Sequence, residues 1–238
     1  MLWALSFLGL CLLLLSGDFL VKGAIQLSNR LGISALIVSL TVVAFGTSAP
    51  ELIVAIKATL SGSPGLALGN VVGSNIANIL LVLGLPTLIF GLQNDIADTK
   101  RSFGIMIVAS ALFILFGITG SFSMTYGIVL LSLLAFFLLD TFKQNSKNAF
   151  NNENLEFQKR ISHSWWTTIF FLTLGIVGLP LGADMLVTSA SALAKSYGIS
   201  DAIVGLTLVA IGTSLPELAT TFIAVVRKKA EVVLGNLI

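Results

Sequence analysis

The chain has 238 residues, of which 56% are apolar and only 10% are charged, and its formal net charge is +2. Mean hydropathy is +1.01. Soluble domains carry roughly a quarter charged residues, so this composition cannot coat a water-soluble globule, and nothing in it calls for a nucleic-acid partner. The chain has to be read against a bilayer, where only helices or closed barrels satisfy the backbone. Long unbroken apolar runs favour helices, and the short alternating segments of a barrel are absent. The single cysteine, Cys11, has no partner for a disulfide, and the single histidine, His163, sits in a polar stretch without companion ligands.

A spanning helix needs roughly 20 apolar residues, and the sequence predicts seven such segments and a stub. The first covers residues 2–27. It has no positive leading segment and no small-residue cleavage site, so it reads as a retained helix and not a signal peptide. The second covers 34–60, the third 66–92, the fourth 103–120 and the fifth 124–142. A polar loop is expected over 143–164. The sixth helix is expected over 165–194, the seventh over 199–226, and a stub runs from 230 to the last residue, Ile238.

With these spans, Arg30, Lys100, Arg101, Lys143, Lys147, Lys159, Arg160, Arg227, Lys228 and Lys229 fall on one side of the membrane. Lys57 and Lys195 fall on the other. Cytoplasmic loops carry the excess of Lys and Arg, so the N-terminus is expected outside and the 143–164 loop in the cytoplasm. Trp165 and Trp166 are then expected at an interface, where indoles are enriched.

An internal repeat organises the chain. Residues 18–72 align without a gap on 184–238 at an offset of 166 (184 − 18), with 24 of the 55 pairs identical. Apolar helices align by chance, but identical Gly, Thr, Ser, Pro, Glu and Asn in register do not. Five expected spans separate each residue from its copy. Five is odd, so the copies enter the membrane from opposite sides. Inverted repeats of this kind build secondary transporters, with the site near the midplane on interrupted helices.

The repeat centres on Gly46-Thr47-Ser48-Ala49-Pro50-Glu51 and Gly212-Thr213-Ser214-Leu215-Pro216-Glu217. Proline inside a helix lacks the N–H that would bond the carbonyl four residues earlier, so Pro50 frees the carbonyl of Gly46 and Pro216 that of Gly212. Freed carbonyls at membrane depth need a partner, and a cation is one. Thr47 and Ser48 are four and three residues before Glu51, so the hydroxyls share a helix face with the carboxylate. An intramembrane carboxylate is costly and marks a functional site by default. The alternative, a glutamate hydrogen-bonded between helices for structure alone, fits one such residue better than two in symmetric positions. Downstream of the first copy, Ser74 and Asn78 are four apart and can face the same site, although the nearby glycines also suit close helix packing. Asp18 and Asp184 repeat too, but each is expected toward a helix end, in a structural or interfacial role.

All these donors are oxygens, which suits hard cations such as calcium with its six to eight oxygen ligands. No nucleophile with a base and no phosphate-binding loop is visible, so the chain is not expected to be an enzyme, and no cofactor is expected.

These motifs, with Gly69-Asn70-Val-Val-Gly73-Ser74-Asn75-Ile76 after the first copy, resemble the alpha-1 and alpha-2 repeats of the sodium/calcium exchanger family, within the cation/calcium antiporters. The resemblance covers the whole chain. It implies an all-α polytopic membrane fold of ten helices in two inverted halves, here 1–142 and 165–238 about the 143–164 loop. It implies that Glu51 and Glu217 coordinate calcium and sodium, with Thr47, Ser48, Thr213, Ser214, Ser74 and Asn78 completing the pockets and the main-chain carbonyls of Ala44 and Ala210 contributing. Potassium-dependent relatives resemble one another in having Asp where this chain has Asn78, so potassium independence is expected. The family also has a second Gly-Ser-Asn-Ile segment, whose counterparts of Ser74 and Asn78 would fall at 240 and 244 (74 + 166, 78 + 166), past Ile238. The chain is therefore expected to be C-terminally shortened relative to the family. The expected activity is sodium/calcium exchange by alternating access, in the plasma (inner) membrane. Calcium/proton exchange and a non-transporting fragment are the alternatives.

Overall fold

A computed structural model describes residues 1–62, 64–91, 96–120, 122–151, 164–199 and 210–237. The described residues form helices and connecting turns. Helix α1 spans Leu2–Leu31. Helix α2 spans Ala35–Thr47 and α3 spans Ala49–Leu60, the two bent by 49° at their break. Helix α4 spans Pro64–Phe90, α5 Ile96–Ile118, α6 Met124–Asn151 and α7 Trp165–Ser196. A single turn at Ala210–Gly212 leads into α8, Leu215–Val226, and α9 is Ala230–Leu237. Five of these helices are long and apolar enough to cross a membrane, six if α2 and α3 count as one span. Most of the expected seventh span before 210 lies outside the described residues, as do His163 and most of the expected 143–164 loop.

Local chemistry sets the boundaries. Helix α1 ends where Gly32 takes the left-handed conformation, φ 65°, and its N–H bonds the Ser28 carbonyl, a common helix stop. Because α1 runs unbroken to Leu31, Asp18 lies within the helix and not toward its end as expected. Ser34 opens α2 by accepting the Ile37 N–H at 3.4 Å. Helix α6 continues past the expected end at Phe142 to Asn151. The segment from 143 to 151 is polar but contains neither Gly nor Pro, so the apolar run stops there and the helix does not.

The centre of the molecule is the antiparallel pair α1 and α7. Leu13, Leu20, Ala24, Leu179 and Ala183 form its core together with Val38, Val43 and Ala219. The seam is nearly free of side chains at its closest points. A Cβ placed on Gly9 would meet the backbone nitrogen of Leu186 at 2.7 Å, and one on Gly175 would meet the Cβ of Leu20 at 2.6 Å and its Cα at 2.8 Å. These two contacts are copies of each other, since 9 + 166 = 175 and 20 + 166 = 186. The repeat therefore extends upstream of residue 18, and the two inverted halves meet about a pseudo-twofold axis between α1 and α7. Phe19 stacks on Phe171 with centroids 5.4 Å apart, and Arg30 lies over Trp165 at 4.9 Å. Outside this centre, α4 to α6 expose rows of large apolar side chains, among them Leu80, Leu88, Ile118 and Leu131. Such faces suit lipid, which is as apolar as they are.

Candidate ion site

Both copies of the repeated motif break their helix in the same way. Ser48 has φ −88° and ψ 8°, and Ser214 has φ −89° and ψ 5°. Each serine closes one helical segment, and the proline two residues later falls at the start of the next, where its missing N–H costs nothing. Glu51 and Glu217 sit in the first turns of α3 and α8. The positive end of a helix dipole favours a carboxylate there.

The breaks bring the inverted copies together. Ser48, from the first copy, donates to Oε1 of Glu217, from the second, at 2.7 Å. Glu217 is fully buried and Glu51 is 9% exposed. Neither has a Lys or Arg partner among the described residues. Instead, Glu51 Oε1 and Oε2, Glu217 Oε2, Ser214 Oγ and Asn78 Oδ1 are buried with no hydrogen-bond partner. Buried polar atoms are normally paired, and each exception needs an explanation. Among the described residues almost the whole set comes from the repeated motif and its companion Asn78; the one other such atom there is Ser6 Oγ. Four of the five site atoms are carboxylate or amide oxygens and the fifth is a hydroxyl, the donor types that suit a hard cation, and two carboxylates among them carry the charge that would offset a divalent ion.

The remaining expected residues are placed as follows. Thr47 is fully buried; its hydroxyl reaches the Ala44 carbonyl at 3.2 Å and Asn236 Oδ1 at 3.1 Å. The Ala44 carbonyl also accepts the Ser48 N–H at 3.0 Å, so it is already engaged. Asn78 opens a π-helical turn, Asn78–Leu83, inside α4, and that turn packs against α8, the helix of Glu217. A second π turn, Ser39–Val43, widens α2 just before the motif. Such turns are rare and cluster at functional sites. Ser74 spends its hydroxyl on the Val71 carbonyl one turn back, at 3.2 Å, and has no bond to either glutamate. Thr213 is half-buried and already partnered, and Ala210 opens the turn before the second motif.

Two residues that the motif reading left without a role also join the site. Asn70 donates to the Glu51 carbonyl at 3.1 Å, and Asn236 donates to the Glu217 carbonyl at 3.4 Å. These are the same bond in both copies (70 + 166 = 236, 51 + 166 = 217). Their identity in the repeat was the available signal. Asp18 stands apart from this cluster. It pairs with Lys22 at 2.7 Å and with Arg227, whose Nε donates to it at 2.6 Å. Its copy Asp184 is exposed and makes no ion pair among the described residues, because Thr188 and Ser61 stand where Lys22 and Arg227 have their counterparts.

The model of the family described as sodium/calcium exchanger protein matches residues 1–142 and 167–238. The chain belongs to the sodium/calcium exchanger family. This family member is 37% identical to the inner membrane protein YrbG of Escherichia coli over 99% of its own length and 74% of that protein's. It is 33% identical to the sodium/calcium exchanger MaX1 of Methanosarcina acetivorans over 97% of its length and 76% of that protein's. Its fold matches the solved structure of the sodium/calcium exchanger from Methanococcus jannaschii with a TM-score of 0.81 and 33% identity, covering 100% of this chain and 76% of that one. It is thus a helical integral membrane protein with the exchanger fold, and a member of the cation/calcium antiporters.

Proposed function

We propose that the protein exchanges sodium for calcium across a membrane by alternating access, and that Glu51 and Glu217 are the charged centre of the ion site. The observation that carries this reading is the set of buried, unpartnered oxygens on Glu51, Glu217, Ser214 and Asn78. Calcium takes six to eight oxygens at flexible geometry. Ser48, Thr47, Thr213 and Ser74, with the carbonyls of Ala44 and Ala210, supply the rest of the coordination once an ion competes for them. Two carboxylates neutralise one calcium, and sodium ions fit the same hard oxygens in its place, so one site serves both cargoes in alternation. Helix α2 presents its carbonyl end at the first break, the end of a helix that favours cations.

The seam between α1 and α7 makes them one body, because neither can shift across the other without lifting backbone from backbone. In this reading that body moves against the broken helices to expose the site to one side at a time. The Lys and Arg distribution puts the N-terminus outside and residues 143–164 in the cytoplasm of a cell whose plasma membrane holds the protein.

The test is uptake of radiolabelled calcium into vesicles containing the purified protein. Uptake should follow an outward sodium gradient imposed without a pH gradient. Uptake that ignores sodium and follows a pH gradient would replace this reading with calcium/proton exchange.

A further inference from the structure

We propose that Asn236 is a positioning residue of the ion site, which holds the Thr47 hydroxyl proton away from the cation, and that Asn70 pins the other glutamate in the same way. The inference rests on the site assignment just made and extends it to residues that do not themselves ligate.

The orientation of the Asn236 amide is fixed by its surroundings. The Glu217 carbonyl can only accept, so the amide nitrogen must face it, at 3.4 Å. The second N–H goes to Thr221 Oγ1 at 3.1 Å. This turns Oδ1 toward Thr47, whose hydroxyl must then donate, at 3.1 Å. All of these groups are buried; Asn236 is 5% exposed, and Thr47 and Thr221 are fully buried.

Thr47 has one hydroxyl proton and two acceptors within reach, Asn236 Oδ1 and the Ala44 carbonyl. When the proton is on the Ala44 side, it occupies a carbonyl that the ion would use. When it is on the Asn236 side, that lone pair is released, and the Thr47 oxygen presents its own lone pairs to the cavity. A cation and a hydroxyl proton repel, so an arriving ion drives the proton toward Asn236, and the amide is already placed to take it. Asn236 belongs to the second copy and Thr47 to the first, so this one bond also couples the two halves of the site. Meanwhile the amide nitrogen holds the main chain of Glu217, 19 residues earlier in the chain, as Asn70 holds that of Glu51.

Equilibrium binding of radiolabelled calcium to the purified protein in detergent tests this without relying on transport. Asn236→Leu is near-isosteric and removes the acceptor together with the two amide donors; it should raise the half-saturating calcium about tenfold or more, since one buried hydrogen bond alone is on the order of tenfold. Thr47→Val should also raise it, and Thr47→Ser, which keeps the hydroxyl, should raise it clearly less than Thr47→Val. Both changes remove the Thr47–Asn236 bond, though each also removes other contacts, so the loss in the double variant should fall short of the product of the two single losses. Multiplying losses, or an Asn236→Leu protein with unchanged half-saturation, would overturn the proposal. Where Asn236→Leu does not give a monodisperse protein, the Thr47 pair decides, and a Thr47→Val protein that binds like wild type refutes the role. Glu217→Gln is the control. Calcium binding unaffected by that change would sink the site assignment itself, whereas binding lost there but untouched by Asn236→Leu would sink only this inference.

Discussion

Alanine at Gly175 should separate the two central helices, and the cost can be worked from the seam. The added Cβ would lie 2.6 Å from the Leu20 Cβ, 2.8 Å from its Cα and 2.9 Å from its nitrogen. None of these is the loose end of a side chain, so relief requires moving α1 away from α7. Overpacking of this kind costs about 1–3 kcal/mol, against roughly 1 kcal/mol gained from replacing glycine by alanine within a helix. Gly127 in α6 provides the contrast, since its Cβ would meet nothing within 4 Å among the described residues, and Gly127→Ala should show only the gain. The two variants should differ by about 1–3 kcal/mol. At roughly 2–4 °C per kcal/mol for a chain of this size, Gly175→Ala should melt several degrees below Gly127→Ala when loss of the monodisperse species is followed on heating in detergent. Gly9→Ala, the twofold mate, should fall with it. A Gly175→Ala protein that melts at or above Gly127→Ala would show that the helices are not packed backbone to backbone and would remove the basis for treating them as one body.

Four other outcomes are expected. Glu51→Gln and Glu217→Gln should each abolish calcium flux while leaving a folded protein, because the amide keeps the size but loses the charge that offsets a divalent ion in a low-dielectric site; near wild-type flux in either would make that glutamate structural. Asp18→Asn and Arg227→Gln should be coupled in a double-mutant cycle on melting, by about 0.5–1 kcal/mol for a partly exposed pair, whereas Asp184→Asn should be neutral. Calcium uptake should be unchanged when potassium is replaced by an inert cation, given Asn78; a potassium requirement would refute that expectation. With Cys11 replaced, a cysteine at position 62 should react with an impermeant thiol reagent in intact cells and one within 143–164 should not, and the reverse pattern would invert the assigned topology.

The fold was largely legible because the chain states it twice. Pro50 and Pro216 mark where each helix must break, and the glutamate after each proline stands out in an apolar run, but the spacing set Ser48 beside Glu51 of its own copy and did not give its bond to Glu217 of the other. What escaped was set by contacts distant in sequence. No periodicity reveals that an asparagine amide will bond the carbonyl of a residue 19 positions earlier, so Asn70 and Asn236 registered only as matches in the repeat. The π turns at Ser39–Val43 and Asn78–Leu83 add residues to a helix without altering its apolar pattern. Asp18 reads as structural or interfacial from its expected place toward a helix end, but its partner Arg227 is 209 positions away, and nothing local announces that pairing.

The seam between α1 and α7 obeys the rule of two identical subunits about a twofold axis, where residue i meets j and the copy of j meets the copy of i. Gly9 meets Leu186 as Gly175 meets Leu20. In a dimer of identical chains, every substitution enters such an interface twice and acts on both membrane faces alike. Joined in one chain, the halves are free to diverge. Ser16 already has Gly182 as its counterpart in the repeat, Leu14 has Pro180, and Ser61 stands where the other half has Arg227. A single inherited change can therefore alter the packing at one end of the seam and not at the other, which two identical chains cannot do. Covalent fusion thus frees a molecule built on symmetry to make its two ends unlike.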